Sequence, residues 1–245
     1  MQHQVWQNTL GGLSATALAS SALARDGDHH SSAQTIVAAD LGNLTIKLGA
    51  FTGTSYARVS AQSYALQSYS WDGSGSASRT LSGSLDFDIV SVVPFSSTSV
   101  SASAEVEGAV TVFSLASNSF NFDVSQARLG NFEAFAQNRA DYRSEAQSSV
   151  HSVDGSPYQF NVSFSMEAGR TYFLQSWLGA YARFGGALDA THTFIVHLDD
   201  VQGLSASEAL ADPQVITSVP EPEGIWLWSA GLAMLGLLRR RYRSV

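Results

Sequence analysis

An all-β fold is what this chain predicts: an antiparallel β-sandwich, a jelly-roll-like order left open, followed by a single C-terminal transmembrane helix. Three observations carry that expectation. Apolar residues recur at every second position in several short runs, the period of half-buried strands. Glycine, serine, asparagine and aspartate punctuate those runs as turn residues do. The stretch Gly224–Leu238 carries no charge and ends against arginines, the pattern of a membrane segment with its cytoplasmic flank.

The elements follow in order. Residues 1–24 are expected as an atypical signal peptide, with a disordered arm as the alternative. Leu10–Ala24 is uncharged and apolar-leaning, and Ala22-Leu23-Ala24 has the form of a small-residue cleavage site, yet no Lys or Arg precedes it. Residues 25–34, which include Asp26-Gly27-Asp28-His29-His30, are polar and read as a linker. Residues 35–217 are the β-sandwich body. Within it Leu44, Ile46 and Leu48 alternate, as do Leu81, Leu85, Phe87 and Ile89, with Asp86 and Asp88 on the other face. Phe120, Phe122 and Val124 repeat the pattern, and Phe160, Val162, Phe164 and Met166 show it most clearly. Phe194, Val196 and Leu198 form a late strand with Ile195 and His197 opposite. Glu167-Ala168-Gly169-Arg170 between two such runs predicts a hairpin, the glycine supplying a positive φ. Trp71–Ser76 and Asp154–Pro157 read as loops. Leu129–Ser149 allows a short helix through Phe132, Phe135, Ala136 and Arg139, a long loop, or two edge strands.

Composition excludes several functions. There is no cysteine, so disulfides, thiolate metal sites and thiol nucleophiles are absent. Charged residues make up 14%, against about 25% in an average globular chain. Lys47 is the only lysine. Of 13 basic residues four lie from Arg239 onward, and of 21 acids only Glu221 and Glu223 lie beyond residue 219, which leaves residues 1–219 at a net −10. A body that acidic repels nucleic acid, whose capture depends on Lys and Arg displacing counterions.

Chemistry is sparse. No nucleophile elbow, zinc-protease helix motif or phosphate loop occurs, so no catalytic residue, no metal ligand set and no cofactor is assigned. His29-His30 beside Asp26 and Asp28 could bind a metal ion, but reads better as a solvated polar linker. His192 and His197, five residues apart on one strand, stand roughly 16 Å apart on opposite faces. Asp199-Asp200 could offer carboxylates to calcium, or simply end a strand in solvent. Tyr69 with Trp71, and Trp177 with Tyr181, are candidates for a sugar-binding aromatic platform; the competing reading is core filling.

The C-terminal residues 218–245 form the last segment. Val219, Pro220, Glu221 and Pro222 break the preceding fold, since proline continues neither a strand nor a helix interior. The membrane anchor is expected from Ile225, Trp226, Leu227, Trp228, Leu232, Met234, Leu235, Leu237 and Leu238. At helical rise the uncharged stretch spans roughly 22 Å, short of the ~30 Å hydrocarbon core. The tryptophans suit one interface, and Arg239, Arg240, Arg241 and Arg243 can snorkel to the other as a stop-transfer cluster. A Pro-Glu-Pro motif, a short apolar helix and a terminal basic cluster resemble the PEP-CTERM family of sorting signals. The resemblance covers Val219–Val245 and implies exosortase as processing partner, a membrane-anchored precursor, and delivery to the surface or exopolysaccharide matrix of a Gram-negative bacterium. The function expected on that basis is an exported, non-catalytic surface or matrix protein. The alternatives are a carbohydrate-binding module or adhesin associated with exopolysaccharide, and an anchored hydrolase.

Overall fold

The computed structural model describes residues 15–24, 30–52, 58–91, 103–116, 132–151, 157–183 and 186–218. They build two antiparallel sheets packed face to face. The first carries β1 (Ala15–Ala24), β2 (His30–Asp40), β3 (Asn43–Thr52), β5 (Ser76–Leu85), β6 (Asp88–Ser91), β9 (Tyr158–Glu167) and β11 (Gly186–Leu198). Its order is β1-β2-β3-β11-β5-β9, with β6 beside the start of β11. The second carries β4 (Arg58–Trp71), β7 (Ser103–Ala116), β8 (Arg143–His151), β10 (Arg170–Arg183) and β12 (Leu204–Ser218), in the order β12-β4-β10-β7-β8. After the β1-β2-β3 meander the chain crosses repeatedly from sheet to sheet, so most sequence neighbours face one another across the core.

Strand alternation decides which side chains meet there. Leu44, Ile46 and Leu48 of β3, Leu81 and Leu85 of β5, and Phe194, Val196 and Leu198 of β11 are all buried on the first sheet's inner face. Val59, Ala61, Ala65 and Tyr69 of β4 and Tyr172, Leu174 and Leu178 of β10 answer from the second. Ile36 and Ile195 point outward and are exposed, as the period of two requires. Past Leu85, Phe87 is buried, whereas Ile89, set opposite buried Leu188 where β6 pairs with β11, is 42% exposed.

Polar groups lock the two layers in register. Thr35 Oγ1 of β2 and Ser63 Oγ of β4 lie 2.6 Å apart in the interior. The Tyr69 hydroxyl accepts from the Gly42 amide in the β2–β3 turn at 2.7 Å and donates to Gln67 Oε1 at 3.0 Å. Burial pushes that hydroxyl up to about 12. Tyr69→Phe keeps the ring and strands the buried Gly42 amide, so it should cost about 2 kcal/mol in urea unfolding. A loss below about 0.5 kcal/mol would mean that the amide finds another acceptor.

Two expectations are corrected here. Glu167–Arg170 is a turn, with Gly169 at φ 81, but not a hairpin: β9 and β10 belong to different sheets, and the turn arches between them. The C-terminal transmembrane helix is also corrected. No helix among the described residues is long and apolar enough to cross a membrane; α1 (Phe132–Ala136), in the segment that had been ambiguous, has five residues. Ile225–Leu238 had already fallen short of the hydrocarbon thickness at helical rise. Val219–Pro222, that apolar stretch and Arg239–Arg243 lie outside the described residues. Anchoring at an inner membrane, the membrane as partner and the localisation built on it are withdrawn with the helix. Ala15–Ala24, assigned to an export signal, forms β1 along β2, and His30–Gln34 of the expected linker belongs to β2. Phe120, Phe122, Val124 and the Asp154–Ser156 turn residues lie outside the described residues.

Candidate functional site

The outer face of the second sheet is divided in two. On one half, Leu66, Phe113, Leu115, Phe173 and Leu210 form a second apolar cluster, capped by Phe132 and Ala136 of α1. Phe113 and Phe173 stack with centroids 5.0 Å apart. Gln175 Oε1 accepts from the Phe132 and Glu133 amides at 3.0 and 3.1 Å, tying the helix start to the sheet. Those first-turn amides have no partner within a helix, so the side chain supplies one.

The other half lies beyond the helix. Antiparallel pairing sets three rows of outward residues there. Asp212, Tyr64, Trp177, Ala109 and Ser149 lie across five strands in one row. Gln62, Gly179, Glu107 and His151 make the next, and Ser60, Tyr181 and Glu105 the third. Trp177 and Tyr181 are half-buried and join neither apolar cluster. Tyr64, beside Trp177, packs against the edge of the second cluster. Tyr64 stands 6.3 Å from Trp177, tilted by 34°.

Gly179 makes room for this arrangement. A Cβ there would lie 2.9 Å from the benzo ring of Trp177, so the indole occupies the space a side chain would take. Gln62 Nε2 donates to the Tyr181 hydroxyl at 2.7 Å and links the second row to the third. The buried Trp177 Nε1–H has no acceptor among the described residues. Burial pushes the Tyr64 hydroxyl up to about 12, and Tyr181 and the buried Asp212 carboxyl push it the same way. At the rim, Glu107 Oε1 lies 2.7 Å from His151 Nε2, and Glu105 Oε1 lies 3.8 Å from Arg183 Nη2. The result is a patch of three rings, Tyr64 and Trp177 in one row and Tyr181 two rows along, with amide and carboxylate groups alongside.

The other residues singled out in the sequence are placed elsewhere. Tyr69 is fully buried in the main core. Trp71 is half-buried where the β4–β5 and β11–β12 loops meet, with the Arg79 guanidinium 5.0 Å from its ring centroid. Arg79 donates to Gln202 O at 2.8 Å and pairs with Asp200 at 3.5 Å, so this corner is a clamp between loops. Asp199 Oδ1 accepts from Ser82 Oγ at 2.8 Å, and Asp200 Oδ1 accepts from the Gln202 amide. His197 Nδ1 lies 2.8 Å from Asn43 Oδ1 on the outer face of the first sheet. Pairing with β3 slips between Ala190 and Phe194, within the stretch that holds His192. Among the described residues no three His, Asp or Glu side chains converge on a metal position. A shallow hollow of about 560 Å³ lies on the first sheet's outer face, lined by Ser82, Ser84, Gln159, Asn161, Ile195 and His197.

Sequence reasoning missed Tyr64, Gln62, Gly179 and Glu107. The signal for Tyr64 was parity: five residues from buried Tyr69 along one strand, it must face the other way.

No family model and no curated protein matches this chain. The PEP-CTERM resemblance therefore has no family match behind it, and with the membrane helix withdrawn, exosortase processing is withdrawn as well. Among solved structures, TmCBM61 in complex with beta-1,4-galactotriose is 10% identical, with 78% of this chain and 86% of that one covered at a TM-score of 0.17. A structure described for carbohydrate-binding modules of the β-sandwich superfamily is 6% identical, with 82% of this chain and 56% of that one covered at a TM-score of 0.16. Likenesses at these scores decide neither the fold nor the ligand of this chain.

Proposed function

We propose that this chain is a non-catalytic carbohydrate-binding protein, and that the Tyr64–Trp177–Tyr181 face receives the sugar. One observation carries the reading: Trp177 and Tyr181 lie outside both apolar clusters, on the half of a sheet face that α1 leaves uncovered. A pyranose ring offers a face of C–H bonds and a rim of hydroxyls. The C–H face packs on an aromatic ring, and the hydroxyls need donors and acceptors close by. Gln62, Glu105, Glu107 and the Ser149 hydroxyl provide those around the rings. The matrix-protein and anchored-hydrolase readings both depended on the withdrawn tail.

Affinity electrophoresis through gels containing soluble glucan, mannan, galactan or xylan tests this. Wild-type protein should be retarded by at least one, and Trp177→Ala should weaken that retardation by tenfold or more, as truncation of a central aromatic anchor does. Its melting temperature should remain close to wild type, because Trp177 packs in neither core. Unretarded wild type in every gel, or retardation that survives Trp177→Ala, would overturn the proposal.

A further inference from the structure

We infer that this face recognises a run of several consecutive sugar residues laid along β10 and not a single terminal sugar, an inference that rests on the carbohydrate-binding reading above. The length of the aromatic surface carries it. Trp177 and Tyr181 share one side of β10, four residues and about 13 Å apart at the rise of a strand. No single pyranose ring covers both. Tyr64 on β4 pairs with Trp177 and widens the first position, the two ring centres lying 6.3 Å apart. Between Trp177 and Tyr181, Gly179 raises no side chain from β10. The benzo ring of Trp177 lies over it instead, 2.9 Å from where a Cβ would stand, so aromatic surface leans from the first row towards the third.

Polar groups line both sides of this track. Gln62 and Ser60 of β4 flank Gly179 and Tyr181 on one side, and Glu107 and Glu105 of β7 flank them on the other. Neighbouring strands lie about 5 Å apart, so these groups stand close to hydroxyls projecting from either edge of a sugar chain. Glu107 is paired with His151 and Glu105 with Arg183, and each carboxylate keeps lone pairs for a further donor. A C–H face and a hydroxyl edge recur from residue to residue along a polysaccharide, so rings repeated between polar margins match several residues in series. The track also has a direction. Before Trp177, the nearest outward residue of β10 is Gln175, which holds the first amides of α1, so the helix borders that end. At the other end β10 runs on from Tyr181 to the exposed Arg183. A chain seated on Trp177 therefore extends over Tyr181.

Calorimetric titration decides it, using oligosaccharides of one to six units prepared from each polymer of the gel experiment. In at least one series, wild-type affinity should rise about thirtyfold or more from the monosaccharide to the hexasaccharide, the contribution of a second aromatic anchor. A site for one sugar would gain only about sixfold, one for each equivalent unit of the hexasaccharide. Tyr181→Ala should weaken hexasaccharide binding about tenfold or more and leave the shortest oligomer that wild type holds within about twofold. Trp177→Ala should weaken both. The melting temperature of Tyr181→Ala, read alongside, establishes that it is folded, and the wild-type series decides without it. Affinity that grows no more than about sixfold with length, or a length dependence that folded Tyr181→Ala leaves unchanged, would overturn the inference and leave the carbohydrate-binding reading standing. So would a polymer that retards the protein although none of its oligomers binds. No retardation by any polymer and no binding at any length would overturn that reading itself, and this inference with it.

Discussion

Phe194→Ala should lower the free energy of unfolding by about 3–5 kcal/mol, the range for emptying a buried aromatic site. Phe194 is 1% exposed and points inward from β11, between Ile46 of β3 and Leu85 of β5. Its ring centre is 6.2 Å from that of Phe160 on β9, so one side chain links four strands of the first sheet. Removing it takes apolar surface out of the core and leaves a cavity that flanking strands, held by their own ladders, close only in part. Urea unfolding followed by tryptophan fluorescence measures the loss as a shift in midpoint. Ile195→Ala, one residue along and 42% exposed, should change stability by less than about 0.5 kcal/mol. Equal losses for the two would contradict the assignment of inner and outer faces.

Gly186→Ala should be nearly as damaging, at about 3 kcal/mol, the upper end of overpacking costs. A Cβ at Gly186 would stand 2.2 Å from the Ser103 carbonyl oxygen and 2.6 Å from its carbon. Gly186 begins β11 in the first sheet and Ser103 begins β7 in the second, so the methyl group would wedge the two layers apart. Neither contact is the mobile end of a side chain, so relief requires backbone movement. The Gly186 carbonyl also accepts from Thr52 Oγ1 at 3.1 Å, and displacement would strain that bond too. Gly75→Ala separates this effect from ordinary glycine conformational cost. Gly75 has φ +85 and open space around it, and should lose only about 1 kcal/mol. A Gly186→Ala protein as stable as wild type would show that the layers can part there without penalty.

How much of this was legible beforehand varies by element. The runs Leu44–Leu48, Phe160–Met166 and Phe194–Leu198 were readable because a strand's two faces alternate whatever it pairs with. The partner of each strand was not. Gly169 satisfies a turn between two strands equally well within one sheet or between two, and the hairpin expectation failed on that ambiguity. The candidate face shows the same division. Trp177 and Tyr181, four residues apart, had to share one side of a strand, and Tyr69 and Trp71 another. Which side faced the core depended on Leu174 and Leu178 packing beneath the β10 rings and on α1 covering only half of the outer face. Gly179 and Glu107 carried no signal of their own, since a glycine or a glutamate in a strand has many uses.

The sequence by itself determined the β character of the chain, the alternation within its strands, the acidic balance of the body and the lack of thiol chemistry. These are properties of composition and of the extended backbone's period of two, and long-range contact does not alter them. Tertiary structure alone decided that Tyr69 and Trp71 turn into the core and the loop clamp while Tyr64, Trp177 and Tyr181 come together outside. That patch is assembled from β4 and β10, more than a hundred residues apart in the chain. Their adjacency comes from how the pairing of the strands into a seven-stranded and a five-stranded sheet buries the most apolar surface, and no local pattern in either strand encodes it.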